Sequence, residues 1–131
     1  MSVSAYKRTL RDNQSPRDVE RQILNRVTKE LGTYAQSFDE AESLDARMTI
    51  LAGGLRLSHF ENLRLWSMFK ADLQNPDNQL PAEFRAQLIS LAYFVERQSN
   101  MVIGARGKIA PLLAINRSLI DGLAGISPEA A

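Results

Sequence analysis

Apolar residues recur along this chain at helical intervals, and no segment alternates at period two. Val19, Ile23, Val27 and Leu31 repeat every four residues, with Leu24 and Tyr34 widening the stripe. This pattern predicts an amphipathic helix to about Ala35. Ser15-Pro16 is a good start for it, an N-cap oxygen followed by proline at the first helical position. Asp18 and Glu20 add negative charge where the helix dipole favours it. Ser37-Phe38-Asp39-Glu40 has capping-box spacing, so a second helix is expected to start there, carrying Leu44, Met48, Ile50 and Leu51. Gly53-Gly54 then either breaks or kinks it, and the pattern leaves both open. Ser58-His59-Phe60-Glu61 offers another capping-box match for a fresh start.

The next stretch organises the rest. Leu57, Phe60, Leu63, Trp66, Phe69 and Leu73 predict a helix that Pro76-Asp77-Asn78 ends, because Pro76 removes a donor and disfavours helix at Asn75. Pro81 suits the first turn of a returning helix, with Leu80 placed to pack back on that turn. Phe84, Leu88, Leu91, Val95 and Val102 carry this second arm, which is expected to end near Gly104. A last helix follows Pro111, with Leu112, Ile115, Leu119 and Leu123 on its apolar side. Neither arm of the hairpin can bury its stripe alone. The expected fold is therefore all-α: a single-domain bundle of four to five helices over residues 15–125, with a flexible arm at 1–14 and a tail at 126–131.

Composition narrows the function. At 131 residues the chain is one domain of ordinary size and buries roughly two-thirds of its unfolded surface. It has no cysteine, hence no disulfide framework or thiolate chemistry, and a single histidine, His59, hence no histidine-based metal cluster. No apolar run approaches the roughly 20 residues that span a bilayer, and the N-terminal residues lack the apolar core of a secretory signal. A cytoplasmic location without membrane association is expected. The net charge of +1 argues against a general nucleic-acid coat, although basic residues outnumber acids in the first helix and arm. Asp39, Glu40, Glu42 and Asp45 form an acidic patch.

No catalytic constellation is expected. A Ser-His-Asp arrangement would need His59, which lies inside a helical run. Gly104-Ala105-Arg106-Gly107 is too short for a phosphate loop and follows a helix. The pairs Asp39/Glu40 and Asp72/Glu83 have no spacing specific to acid–base work. Binding is the expected activity, with no catalytic, cofactor or metal residues.

Several short motifs then line up. Tyr6 with Ser15-Pro16-Arg17-Asp18-Val19-Glu20, Asn62 with Leu65-Trp66, Asp72 followed by Leu80-Pro81, Arg85 with Leu88-Ile89-Ser90, and Ile115-Asn116-Arg117 closing with Gly122-Leu123 span nearly the whole chain. In order and spacing they resemble the flagellar protein FlaF family of α-proteobacteria. The region from Met48 to Leu57, with its glycine pair, departs from that pattern. The resemblance implies a part in flagellin production and secretion, with flagellin as partner. It further implies FlbT, which controls flagellin messenger RNA, as a second partner, and likeness in function to flagellin chaperones such as FliS.

A helical chaperone would offer a groove to an amphipathic flagellin helix. The wide apolar faces of residues 57–73 and 84–102 place that groove between them. Trp66 and Phe69 are the expected anchors, Leu65, Leu91, Phe94 and Val95 the walls, and Arg64, Asn116 and Arg117 the rim. Ordinary core packing is the competing reading for each apolar residue, and Asn62 and Asn116 could equally cap or cross-link helices inside the bundle. The alternative function is post-transcriptional control of flagellin messenger RNA, acting with FlbT, although direct nucleic-acid binding is not expected.

Overall fold

The computed structural model describes residues 3–125, and describes side chains over 19–122. The expected tail at 126–131 lies outside the described residues. Helices are α1 (Val3–Glu40), α2 (Leu44–Ile50), α3 (Arg56–Leu73), α4 (Ala82–Ile103) and α5 (Ala110–Gly125), and a π-helical turn, Leu51–Leu55, joins α2 to α3. Among the described residues there is no strand, and the fold is all-α.

Helix α1 starts earlier and ends later than the pattern predicts. Its backbone is helical from Val3, within the stretch expected to be an arm, and Pro16 lies inside it. Ala5, Lys7, Arg8 and Arg11 are good helix formers, and extending a helix is far easier than nucleating one, so no apolar stripe is needed there. At the other end the helix runs through Ser37-Phe38-Asp39-Glu40, so no helix begins there. Phe38 is fully buried at this point, and burying it in a continuing helix outweighs the local cap. The N-cap is instead Ser43, whose Oγ accepts from the Ala46 N–H at 3.1 Å.

Asp39 has a different task. Its carboxylate accepts the Ile109 and Ala110 N–H groups at 2.7 and 3.0 Å, capping α5 from 70 residues away along the chain. Pro111 has no N–H, so with these two bonds the backbone of residues 109–111 leaves no donor unpaired at the start of α5. A negative charge at that position also meets the positive end of the α5 dipole.

The glycine pair kinks the chain without ending helical structure. Gly54 has φ 128°, a backbone conformation that side chains disfavour. A Cβ there would also collide with the Tyr34 hydroxyl of α1. The resulting bend sets α3 against α1 and α4, and Ser58 and His59 fall inside α3, where they do not start a new helix. The hairpin turn follows expectation. The side-chain oxygens of Asn75 and Asn78 accept the Asp77 and Leu80 N–H groups at 2.9 and 3.0 Å, and Pro81 occupies the N-cap of α4. Helix α4 ends at Gly104 as expected, but the left-handed residue that closes it is Ala105, φ 60°. The Arg106 N–H reaches the Met101 carbonyl and the Ala105 N–H the Val102 carbonyl, a Schellman closure.

The core gathers Leu31 and Phe38 of α1, Leu51 and Leu55 of the π turn, Trp66 of α3, Ala92, Val95 and Val102 of α4, and Ile109 and Leu112 at the start of α5. A smaller cluster joins Leu24, Val27 and Leu65. Along α1 the buried line is thus Leu24, Val27, Leu31 and Phe38, while Val19 and Ile23 are largely exposed. A strict four-residue repeat drifts about 40° per step around a helix of 3.6 residues per turn, which carries Val19 and Ile23 off the core face.

Candidate partner-binding cleft

The C-terminal part of α3, the hairpin turn and the start of α4 form one end of the bundle. The apolar stripes of three helices and the turn residue Leu80 meet there without closing. Phe69 and Leu73 of α3, Leu80 of the turn, Leu88 of α4 and Leu119 of α5 line a cleft whose back is Trp66 and whose rim holds Glu20 and Asp72. It encloses about 420 Å³, its open mouth included. The space open to the centres of water-sized molecules is about 70 Å³, several times what one water needs.

Trp66 is 1% exposed. Its ring meets Phe69 edge-on, with centroids 5.9 Å apart. Its indole N–H donates to Asn116 Oδ1 at 2.8 Å. The Asn116 amide in turn donates to Asn62 Oδ1 at 2.7 Å and Thr28 Oγ1 at 3.1 Å. These buried bonds tie α1, α3 and α5 together immediately behind the cleft. An apolar surface alone would let the helices slide; directional bonds to Asn116 fix their register.

A charge pair joins α3 to α4. Lys70 Nζ bonds Glu96 and lies over the Tyr93 ring, 4.7 Å from its centroid. The hydrogen bond to Glu96 raises the Lys70 pKa, and the Glu96 charge adds to it. Lys70 is thereby engaged with Glu96, and Asp72 carries negative charge at the mouth.

The expected site residues separate on this frame. Trp66 and Phe69 meet at the cleft, Trp66 as its buried back and Phe69 as a partly open wall. Val95 is in the central core, and Leu65 packs in the smaller cluster with Leu24 and Val27. Leu91, Phe94 and Arg64 do not line the cleft, Arg64 being exposed on α3. Asn116 is fully buried beneath the cleft, the cross-linking alternative. Arg117 is exposed and borders a separate recess between α1 and α5. Leu73, Leu80, Leu88 and Leu119 complete the cleft. Each had been assigned to its own helix stripe or staple, and periodicity carried no signal that they converge.

His59 lies in the other half of α3, fully buried, its Nε2–H donating to the Ser99 carbonyl at 2.9 Å. Burial lowers its pKa, only partly countered by that bond, so the ring is neutral. Among the described residues no group of three or more histidines, cysteines or acids could hold a metal ion, and no helix is long and apolar enough to cross a membrane.

No curated protein and no solved structure matches the chain. One family profile does, described as Flagellar protein FlaF, over residues 2–123. With nearly its whole length inside that match, the chain belongs to the flagellar protein FlaF family, and its role is flagellar.

Proposed function

We propose that the protein is a flagellin-binding export chaperone and assembly factor, working in flagellin synthesis and secretion by binding and not by catalysis, in the cytoplasm and together with FlbT. The observation that carries this reading is the apolar cleft between Phe69, Leu73, Leu80, Leu88 and Leu119, at an end of the bundle that its own helices leave open. Flagellin segments that bury their apolar faces only in the filament would stay disordered or aggregate beforehand. A guest helix laid across the cleft inserts one apolar anchor beside Phe69 and presents its next turns to the exposed ends of α3 and α4. Asp72 favours a guest with a basic residue next to that anchor.

The test is co-purification of the full chain with full-length and C-terminally truncated flagellin, using Phe69→Ala and Leu80→Glu variants whose melting temperatures are recorded. Leu80 is only half-buried in the turn, so Leu80→Glu leaves the core intact. Loss of binding by at least about tenfold in both variants, about 1.4 kcal/mol, is expected. Unchanged binding by two folded variants rejects the cleft as the site. A gel shift with flagellin messenger RNA, weakening steeply with salt, would instead favour direct regulation.

A further inference from the structure

A second recess, sharing no lining residue with the cleft, opens between α1 and α5. Asn25, Thr28, Lys29, Gly32 and Thr33 form its α1 wall, and Arg117 and Ile120 its α5 wall. No acid lines it. At Gly32 an added Cβ would meet only Leu113, at 4.0 Å, so the floor of the recess is not tightly packed there. Lys29 and Arg117 face it from opposite walls, and neither is in an ion pair with any described residue.

Thr28 supplies an independent sign. It is 6% exposed, and its Oγ accepts from the buried Asn116 amide, while its own hydroxyl proton has no acceptor among the described residues. A hydroxyl held as an acceptor on its inner side is left to donate outward. The recess thus offers two cations from opposite sides, an amide and a hydroxyl donor, and a small apolar floor. That is a site for carboxylates.

We infer that the α1–α5 recess is a second docking surface, for an acidic segment of a protein partner whose carboxylates pair with Lys29 and Arg117. Nucleic acid also offers anions, but it follows a basic track that neutralises many phosphates. Here Glu30 adjoins Lys29 along the chain, and Asp121 lies one turn beyond Arg117. Lys29 and Arg117 are the two cations lining the recess, short of a longer basic track, in a protein of net charge +1. Through Asn116 the recess also reaches the sole tryptophan, because Thr28 and Trp66 share that amide side chain.

The experiment titrates the full chain with a short helical peptide of alternating glutamate and alanine, its glutamine counterpart, and a uridine oligonucleotide. Amide shifts of Asn25, Thr28, Lys29 and Arg117 and the fluorescence of Trp66 are followed. The glutamate peptide is expected to move these amides and the Trp66 emission, and the glutamine peptide to move neither. A Lys29→Gln/Arg117→Gln double variant is expected to bind the glutamate peptide about fivefold to tenfold more weakly. Both side chains are exposed, so the fold survives the change. Leu80→Glu is expected to leave this binding intact, which separates failure here from failure of the cleft. Absence of shifts at the recess, equal binding by the double variant, or tighter binding of the oligonucleotide at the same amides would each overturn the assignment.

Discussion

The two halves of α3 present the same face to the bundle and fill it with opposite chemistry. From Ser58 to Asn62 the inward residues are polar: Ser58, His59 and Asn62, all buried. From Leu65 to Leu73 they are apolar: Leu65, Trp66, Phe69 and Leu73. The polar half is closed but incompletely satisfied. Ser58 Oγ, His59 Nδ1, Asn62 Nδ2 and the facing Ser99 Oγ of α4 have no hydrogen-bond partner among the described residues. The apolar half is fully compatible with its surroundings yet left open at the cleft. Directional bonds demand one geometry, so the polar half holds α3 in place. Apolar contact is non-directional, so the other half can accept new surface without losing what it has.

The largest expected effect comes from the apolar half. Trp66→Ala should destabilise by about 3–5 kcal/mol, through the lost ring and the cavity behind it. Chemical denaturation followed by circular dichroism measures this. Asn116→Ala should follow at about 2–4 kcal/mol, since it leaves the Trp66 N–H and two further buried groups without their partner. If Asn116→Ala proves as damaging as Trp66→Ala, directional bonding and not burial dominates α3, and the contrast drawn above collapses.

Gly54→Ala acts upstream, where the π turn delivers the polar half to its site. A destabilisation of about 1–3 kcal/mol is expected from the positive φ, with the clash against Tyr34 adding to it. Tyr34→Ala in the same chain should recover the steric part only. The double-mutant cycle should therefore be non-additive. An additive result would show that Tyr34 has room to move aside.

The smallest effect is a pH dependence. Burial lowers the His59 pKa in the folded protein, so below about 6.5 the unfolded chain binds the extra proton. Stability should be full above that pH, fall as pH drops below it, and level off beneath the folded value. Melting temperatures between about pH 7.5 and 5.5 read this before most carboxylates titrate. His59→Gln should remove the slope. A slope that persists would place its origin outside the polar half.

What the sequence by itself determined was local. The period of the apolar residues established helices throughout, and Pro76 and Pro81 located the hairpin between Leu73 and Ala82. Helix start signals were weaker. Ser37–Glu40 and Ser58–Glu61 have cap spacing, yet both lie inside helices because burial of Phe38 and His59 favours continuation. Periodicity also assigns a residue an azimuth on its own helix without naming the helix it will meet. The tertiary structure alone decided that Asp39 caps α5, that Tyr34 lies over Gly54, and that Asn116 joins three helices. It likewise decided that Leu73, Leu80, Leu88 and Leu119 converge around an opening. Each of these couples residues far apart in the chain, and their meeting depends on how whole helices cross, which a repeat of 3.6 residues does not encode.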